Sequence, residues 1–324
     1  MCTNPVGEQT DFSGCFSADS LKSFIEKEKK RNHSVNVVYV SGGEPTIRPD
    51  FFESLAYISK SFPHARINIL SNGRRFFYAD FAEKCLSFSN VNFIIPIHGW
   101  DSKSHDAITR TKESFAQTTA GLKNLFALRN PGQEIEIRII IHKLNYKKLN
   151  KIFDLIFKEF PLVDRVVAIF LEYEGHAIKN FKSVELSYKE FFPEFKKLKK
   201  YLIKFNEIRF YHFPLCVLPR EFWPYMWRTL DADEVIFLPQ CGKCAVNNFC
   251  LGIHKEYLRL FGLREFKPIK TPVYRRGIKT PVYRRGIKTP VYRRGIKKKI
   301  LLVKTNDFHH PIIDVKEQKT AKEN

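Results

Sequence analysis

No run of 18 or more apolar residues occurs in these 324 residues. A helix needs about 20 to cross a bilayer, so no transmembrane helix and no membrane partner are expected. The opening, MCTNPVGEQTDFSG, has neither a basic n-region nor an apolar h-region. It does not read as a signal peptide, and a cytoplasmic protein is expected. Cysteine is sparse, with seven residues at positions 2, 15, 85, 216, 241, 244 and 250. In a reducing compartment a disulfide framework is not expected, and clustered cysteines point to metal instead. Acidic residues are outnumbered, 34 against 55 Lys and Arg, for a net charge of +21. That balance first suggests nucleic acid, but +13 of it lies from Arg264 onward, which leaves +8 for the first 263 residues. The body is only moderately basic, and a nucleic-acid partner is not expected.

What is present is a globular composition, 44% apolar with 30 Phe, in a chain long enough for one large α/β domain and an appendage. Helical periodicity covers residues 17–31, 51–62, 79–87, 113–128 and 149–160. Apolar β-branched runs lie at 35–40, 65–70, 91–97, 134–142 and 164–171. The two alternate at about 30 residues per unit, the signature of βαβ crossovers and a parallel sheet. In such folds the chemistry sits at the C-terminal ends of the strands. Three successive strand ends carry unusual residues: Gly42, Gly43 and Glu44; Ser71, Asn72 and Gly73; His98, Gly99 and Asp101. Beyond Leu171 the pattern changes to a Lys-rich helix at 187–205 and a short strand at 208–214.

Cys241, Cys244 and Cys250 form a C-x2-C-x5-C, and Cys216 is placed to supply a fourth thiolate. Four thiolates suit a tetrahedral zinc or a four-iron cluster, and spacing alone does not choose between them. Cys15 and Cys85 have no cysteine neighbours and read as small buried residues. From Ile269 the nonapeptide IKTPVYRRG occurs three times without a change, ending at Gly295. A packed repeat would vary at its exposed positions, so an extended, unpacked segment is expected. A basic arm with interleaved Tyr that binds nucleic acid is the alternative.

Two glycines at the end of VYVSGGEPTIRPDF let a ligand approach the backbone closely. The residues by themselves give a polar small-molecule site on a parallel sheet. GGEP after a hydrophobic strand also closely resembles the S-adenosylmethionine (SAM) motif of radical SAM enzymes. ILSNGR, HGWDSKSHDAITRTKESFAQTTAGLKNL, EIRIIIHKLN and LEYEGHA resemble later strand regions of that family, in order, over about residues 1–180. FPLCVLPREFWPYMW and LPQCGKCAVNNFCLG resemble the SPASM-type appendage of peptide maturases, above all the His-Xaa-Ser system radical SAM maturases.

The resemblance implies a partial (β/α)6 barrel over residues 1–206, an auxiliary cluster region at 207–263 and a disordered basic tail at 264–324. It implies SAM and a [4Fe-4S] cluster as cofactors. It assigns Gly42, Gly43, Glu44 and Pro45 to the SAM methionine moiety, with Asn72 and Arg138 as further SAM contacts. It assigns Cys2 to the catalytic cluster and Cys216, Cys241, Cys244 and Cys250 to one auxiliary iron–sulfur cluster, since the full SPASM pattern has another Cys where His254 stands. The implied reaction is formation of a 5′-deoxyadenosyl radical that modifies a ribosomally made peptide. The implied partners are that peptide and a reductase or partner maturase. The family hallmark, C-x3-C-x2-C after a first strand, does not occur in the sequence. Cys2 takes the place of its third cysteine, so a missing first strand, two missing cluster ligands and an inactive chain are expected. A radical SAM protein acting on RNA and a non-catalytic zinc-binding remnant are the alternatives.

Overall fold

The structure, a computed structural model, describes residues 18–30, 35–227, 229–230, 234–247, 250–270 and 313–314. Cys2, Cys15 and the repeats from residue 271 lie outside the described residues. The main elements are α1 (Ala18–Lys30), β1 (Val37–Val40), α2 (Phe51–Ser61), β2 (Arg66–Leu70), α3 (Ala79–Leu86), β3 (Val91–Pro96), α4 (Ser102–Thr109), α5 (Ser114–Leu128), β4 (Ile135–Ile141), α6 (Leu149–Glu159), β5 (Arg165–Phe170), β6 (Ile208–Tyr211) and β7 (Met226–Trp227). Each strand and helix expected before residue 171 is present with its bounds moved by one or two residues. Two compact units result.

The first unit comprises Val6–Pro96, Arg110–Glu136 and His309–Asn324. Its strands β1, β2 and β3 pair in parallel, Val37 with Arg66 and Ile67 with Val91. β3 is buried along its first five residues, because a parallel strand covered on both faces has no polar side to alternate with. α5 lies on the turn after β2. A Cβ on Gly121 would stand 2.3 Å from the Gly73 carbonyl oxygen, so only glycine permits that approach. Asn124 Nδ2 donates to the carbonyls of Phe76 and Phe77, each at 2.9 Å, and fixes the same turn from the helix.

The second unit comprises Met1–Pro5, Ile97–Thr109 and Ile137–Phe308. β5, β6 and β7 pair in parallel within it, Val166 with Ile208 and Phe210 with Met226. The boundary expected after residue 206 therefore falls between two strands that hydrogen-bond to each other. The Lys-rich helix expected at 187–205 is present as an unbroken succession of α and 3-10 turns from Tyr188 to Tyr201. Pro193 has no N–H to donate, and the run tightens to a 3-10 turn over Phe192–Glu194 at that point. What holds the segment is aromatic packing. Phe170, Tyr188, Phe191, Phe195, Phe213 and Tyr257 are all buried. The Tyr188 hydroxyl donates to the His212 carbonyl at 2.6 Å, and the Tyr257 hydroxyl accepts from the Tyr188 N–H at 2.8 Å.

The tail expected from residue 264 is ordered at its start. Phe266 is buried, Glu265 accepts from the Lys189 N–H at 3.0 Å and from the Tyr257 hydroxyl, and the Ile269 carbonyl accepts from the Ala245 N–H at 2.8 Å. Ile313 and Asp314 pair antiparallel with Val38 and Val37, which covers an edge of β1. An unstructured tail is therefore the wrong description for these two stretches.

Candidate functional site: two sets of strand ends

After β1 the chain leaves the sheet through Ser41, Gly42 and Gly43. Gly42 has φ +151°, a conformation that side chains rarely adopt. Both glycines are exposed, and a Cβ on either would meet nothing within 4 Å. The backbone here is open to a ligand. Glu44 behaves differently. Its Oε1 accepts from the Thr46 N–H at 3.2 Å, the Thr46 hydroxyl at 2.6 Å and the Ser71 hydroxyl at 2.7 Å, and its Oε2 accepts from the Asn72 N–H at 2.7 Å. One carboxylate thus ties the end of β1 to the end of β2. Pro45, buried, starts the short 3-10 turn that follows. Asn72 is exposed, and its side-chain oxygen accepts from the Arg74 N–H at 2.9 Å. Thr118 on α5 donates to the Asn72 carbonyl at 2.9 Å. Gly42, Gly43, Glu44, Pro45 and Asn72 therefore share one loop pair.

Arg138 lies in the second unit. It is buried on β4, with its guanidinium 6.0 Å from the Tyr211 ring centre. Around it are residues that sequence reasoning did not assign. His142, directly after β4, is fully buried. Its Nδ1 accepts from the Leu144 N–H at 3.2 Å. Burial pushes its pKa down to about 3, so the ring is neutral and its proton is on Nε2. That N–H is a buried donor with no partner among the described residues. His98 Nδ1 is a second such atom, and burial, with His105 and His142 nearby, lowers its pKa to about 3. Buried polar atoms without partners cost about 1–3 kcal/mol each, so they are sustained where a ligand or water satisfies them.

At the ends of β5 and β6 stand Glu172, Glu174 and His212. His212 Nδ1 is 3.1 Å from the Phe170 carbonyl oxygen. Its Nε2 is 2.8 Å from the Thr229 hydroxyl and 3.2 Å from Glu172 Oε1. Burial raises the Glu172 carboxyl to about 7. Glu174 pairs with His254 at 3.1 Å, which holds its carboxyl below the usual range. The only sequence signal for these residues was their place after apolar strands in LEYE and RFYH.

Cys85, Cys216, Cys241, Cys244 and Cys250 are free thiols. Cys85 is buried in α3, as expected of a small apolar residue. The other four are half-buried. Burial pushes Cys216 up to about 12, Cys250 and Cys241 add repulsion, and a backbone hydrogen bond at Lys267 opposes the rise. The Ile269 N–H donates to Cys244 Sγ at 3.4 Å. The thiol set fits a cluster or zinc in donor type. In arrangement the four sulfurs lie near enough to act on one another, Cys250 and Cys241 on Cys216, and Cys241 and Cys244 on Cys250, although among the described residues no three His, Cys, Asp or Glu side chains are already set as metal ligands. Among the described residues no helix is long and apolar enough to cross a membrane.

Residues 1–156 match the family described as Radical SAM superfamily. The AdoMet-dependent heme synthase of Methanosarcina barkeri is 26% identical over 151 residues, 47% of this chain and 39% of that protein. The mycofactocin maturase MftC of Mycobacterium tuberculosis is 29% identical over 138 residues, 43% of this chain and 33% of that protein. The chain thus spans between a third and two fifths of the length of these curated relatives. Among solved structures, Streptococcus suis SuiB bound to S-adenosylmethionine aligns with a TM-score of 0.46 at 15% identity, over 69% of this chain and 47% of that one. SuiB bound to the precursor peptide SuiA aligns with a TM-score of 0.45 at 15% identity, over 58% and 39%. The fold class is α/β, that of the partial radical SAM barrel. Residues 1–156 are a radical SAM domain.

Proposed function

We propose that this protein is the SAM-binding part of a peptide-modifying radical enzyme. The observation that carries the reading is the loop after β1. Its two exposed glycines leave the backbone open on one side, while Glu44 locks the loop from below. The empty space beside Gly42 and Gly43, where a side chain would otherwise stand, suits close approach of the SAM methionine moiety. SAM supplies, when reduced by a [4Fe-4S] cluster, a 5′-deoxyadenosyl radical. The protein binds, orients and excludes water. A peptide substrate is favoured by the relatives named as maturases and by the SPASM-like cysteines.

Cys216, Cys241, Cys244 and Cys250 are proposed to carry one auxiliary cluster. Iron and sulfide analysis after anaerobic reconstitution checks this; stoichiometric zinc without iron would replace it with the zinc reading. For the catalytic cluster, three thiolates are needed so that one iron remains open to SAM. These 324 residues hold one, Cys2, at the corresponding place. The polypeptide as it stands is therefore expected to give no 5′-deoxyadenosine under anaerobic reduction. A version extended with a first strand bearing C-x3-C should give it. Turnover by the unextended polypeptide overturns the ligand-count argument, and silence from the extended one overturns the radical SAM function.

A further inference from the structure

The ends of β5 and β6 hold a titratable pair that the SAM site does not use. His212 has φ +67°, left-handed backbone for a residue with a full side chain. Such a conformation persists where the surroundings hold it. Here the ring is held at both nitrogens. The Phe170 carbonyl can only accept, so Nδ1 carries a proton in every state of the ring. Nε2 is then the one position that gains or loses a proton. Two groups stand at it, the Thr229 hydroxyl at 2.8 Å and Glu172 Oε1 at 3.2 Å. A hydroxyl donates to a lone pair or accepts from an N–H by rotating, so Thr229 serves both protonation states of Nε2.

We infer that Glu172 and His212 form an acid–base pair that holds one mobile proton between carboxyl and imidazole, and that this pair gives a proton to, or takes one from, a substrate group reaching the ends of β5 and β6. The inference rests on the peptide-modifying reading above. In one form Glu172 is a carboxylic acid and His212 is neutral; in the other Glu172 is a carboxylate and His212 an imidazolium. The net charge is zero in both, so the proton moves without placing an unpaired charge in a site where His212 is 3% and Glu172 14% exposed. With the proton gone, the pair is a base of charge −1. It takes a proton from a substrate group, and that group keeps the bonding electron pair.

The groups that face Glu172 suit this role. Burial raises its carboxyl to about 7. His254 and Arg138 draw it down, while Glu174 and Glu234 push it up. An acid or base works best with its pKa near the working pH. The Glu174–His254 pair beside it is partly exposed and has a lowered carboxyl, so it remains an ion pair where Glu172 does not.

The test is ring 15N NMR of the full 324-residue chain labelled at histidine, with the His212 signals identified by their loss in His212→Asn. Between pH 5 and 9, Nδ1 should remain protonated, while Nε2 changes from N–H-like to lone-pair-like with a midpoint near neutrality. In Glu172→Gln that midpoint should fall by at least one pH unit. In Thr229→Val it should be retained and broadened or displaced by less. A flat Nε2 signal in the unaltered chain overturns the pair, as does a midpoint that ignores Glu172→Gln. The readout needs no SAM cleavage, so its failure is separate from failure of the radical reading.

Discussion

At the ends of β1 and β2 the Glu44 carboxylate is saturated by its own chain, through four hydrogen bonds from Thr46, Ser71 and Asn72. In the second unit, two imidazole nitrogens, His98 Nδ1 and His142 Nε2, are buried without partners among the described residues, and one carboxyl, Glu172, is displaced toward neutrality. Both regions are strand ends of one family domain and its continuation. The first spends its charge on structure and leaves open space beside its two glycines. The second leaves two imidazole nitrogens without partners among the described residues, at a cost in stability. Acidic residues at strand ends thus differ in meaning according to whether local N–H groups reach them first.

The contrast can be broken most directly at Glu44. Glu44→Ala leaves the Ser71 hydroxyl and the Asn72 N–H without their acceptor, and a loss of about 2–4 kcal/mol is expected in urea unfolding at pH 7, from several unmade hydrogen bonds at about 1–1.5 kcal/mol each. A change below about 0.5 kcal/mol would mean that the loop does not depend on this carboxylate.

The second region should announce itself through pH. His98 and His142 have folded pKa values lowered to about 3 from 6.5. As pH falls below 6.5 the unfolded chain takes up protons that the folded chain refuses, so stability present above 6.5 is lost progressively on the way to 3. At pH 5 each imidazole accounts for up to about 2 kcal/mol, at 1.36 kcal/mol per unit. His142→Gln should therefore flatten the decline between pH 7 and 5 in urea midpoints. An equal decline in the variant would remove His142 from the account. Glu172 has the opposite sign. Its raised pKa adds a loss as pH rises through about 7.

The smallest effect separates the two glycines. Gly42→Ala forces a side chain onto φ +151° and should lower stability by about 1 kcal/mol. Gly43→Ala meets open space and should leave stability nearly unchanged. Both should weaken SAM binding measured by calorimetry, if that open space is where the ligand lies. Unaltered binding by Gly43→Ala would move the ligand elsewhere.

The parallel strands and their helices were legible because both faces of such strands are apolar, so VNFIIP and RVVAIF stand out as continuous runs. The GGEP loop was legible because two adjacent glycines at a strand end have few other uses. The helical run after residue 187 was legible from lysines at helical spacing, while its 3-10 turn at Pro193 and its aromatic packing were not. Glu172 with His212, and Glu174 with His254, could not be read from sequence. Partners 40 and 80 positions apart meet only once strand ends converge. The start of the tail was missed for a related reason: Phe266 and Glu265 look like the head of a basic run until Tyr188, Lys189 and Tyr257 are seen around them.

That last arrangement bears on synthesis as well as on stability. The Tyr188–Tyr257 layer is completed by Phe266 and Glu265, so the aromatic core of the second unit cannot close while residue 266 is still inside the ribosome.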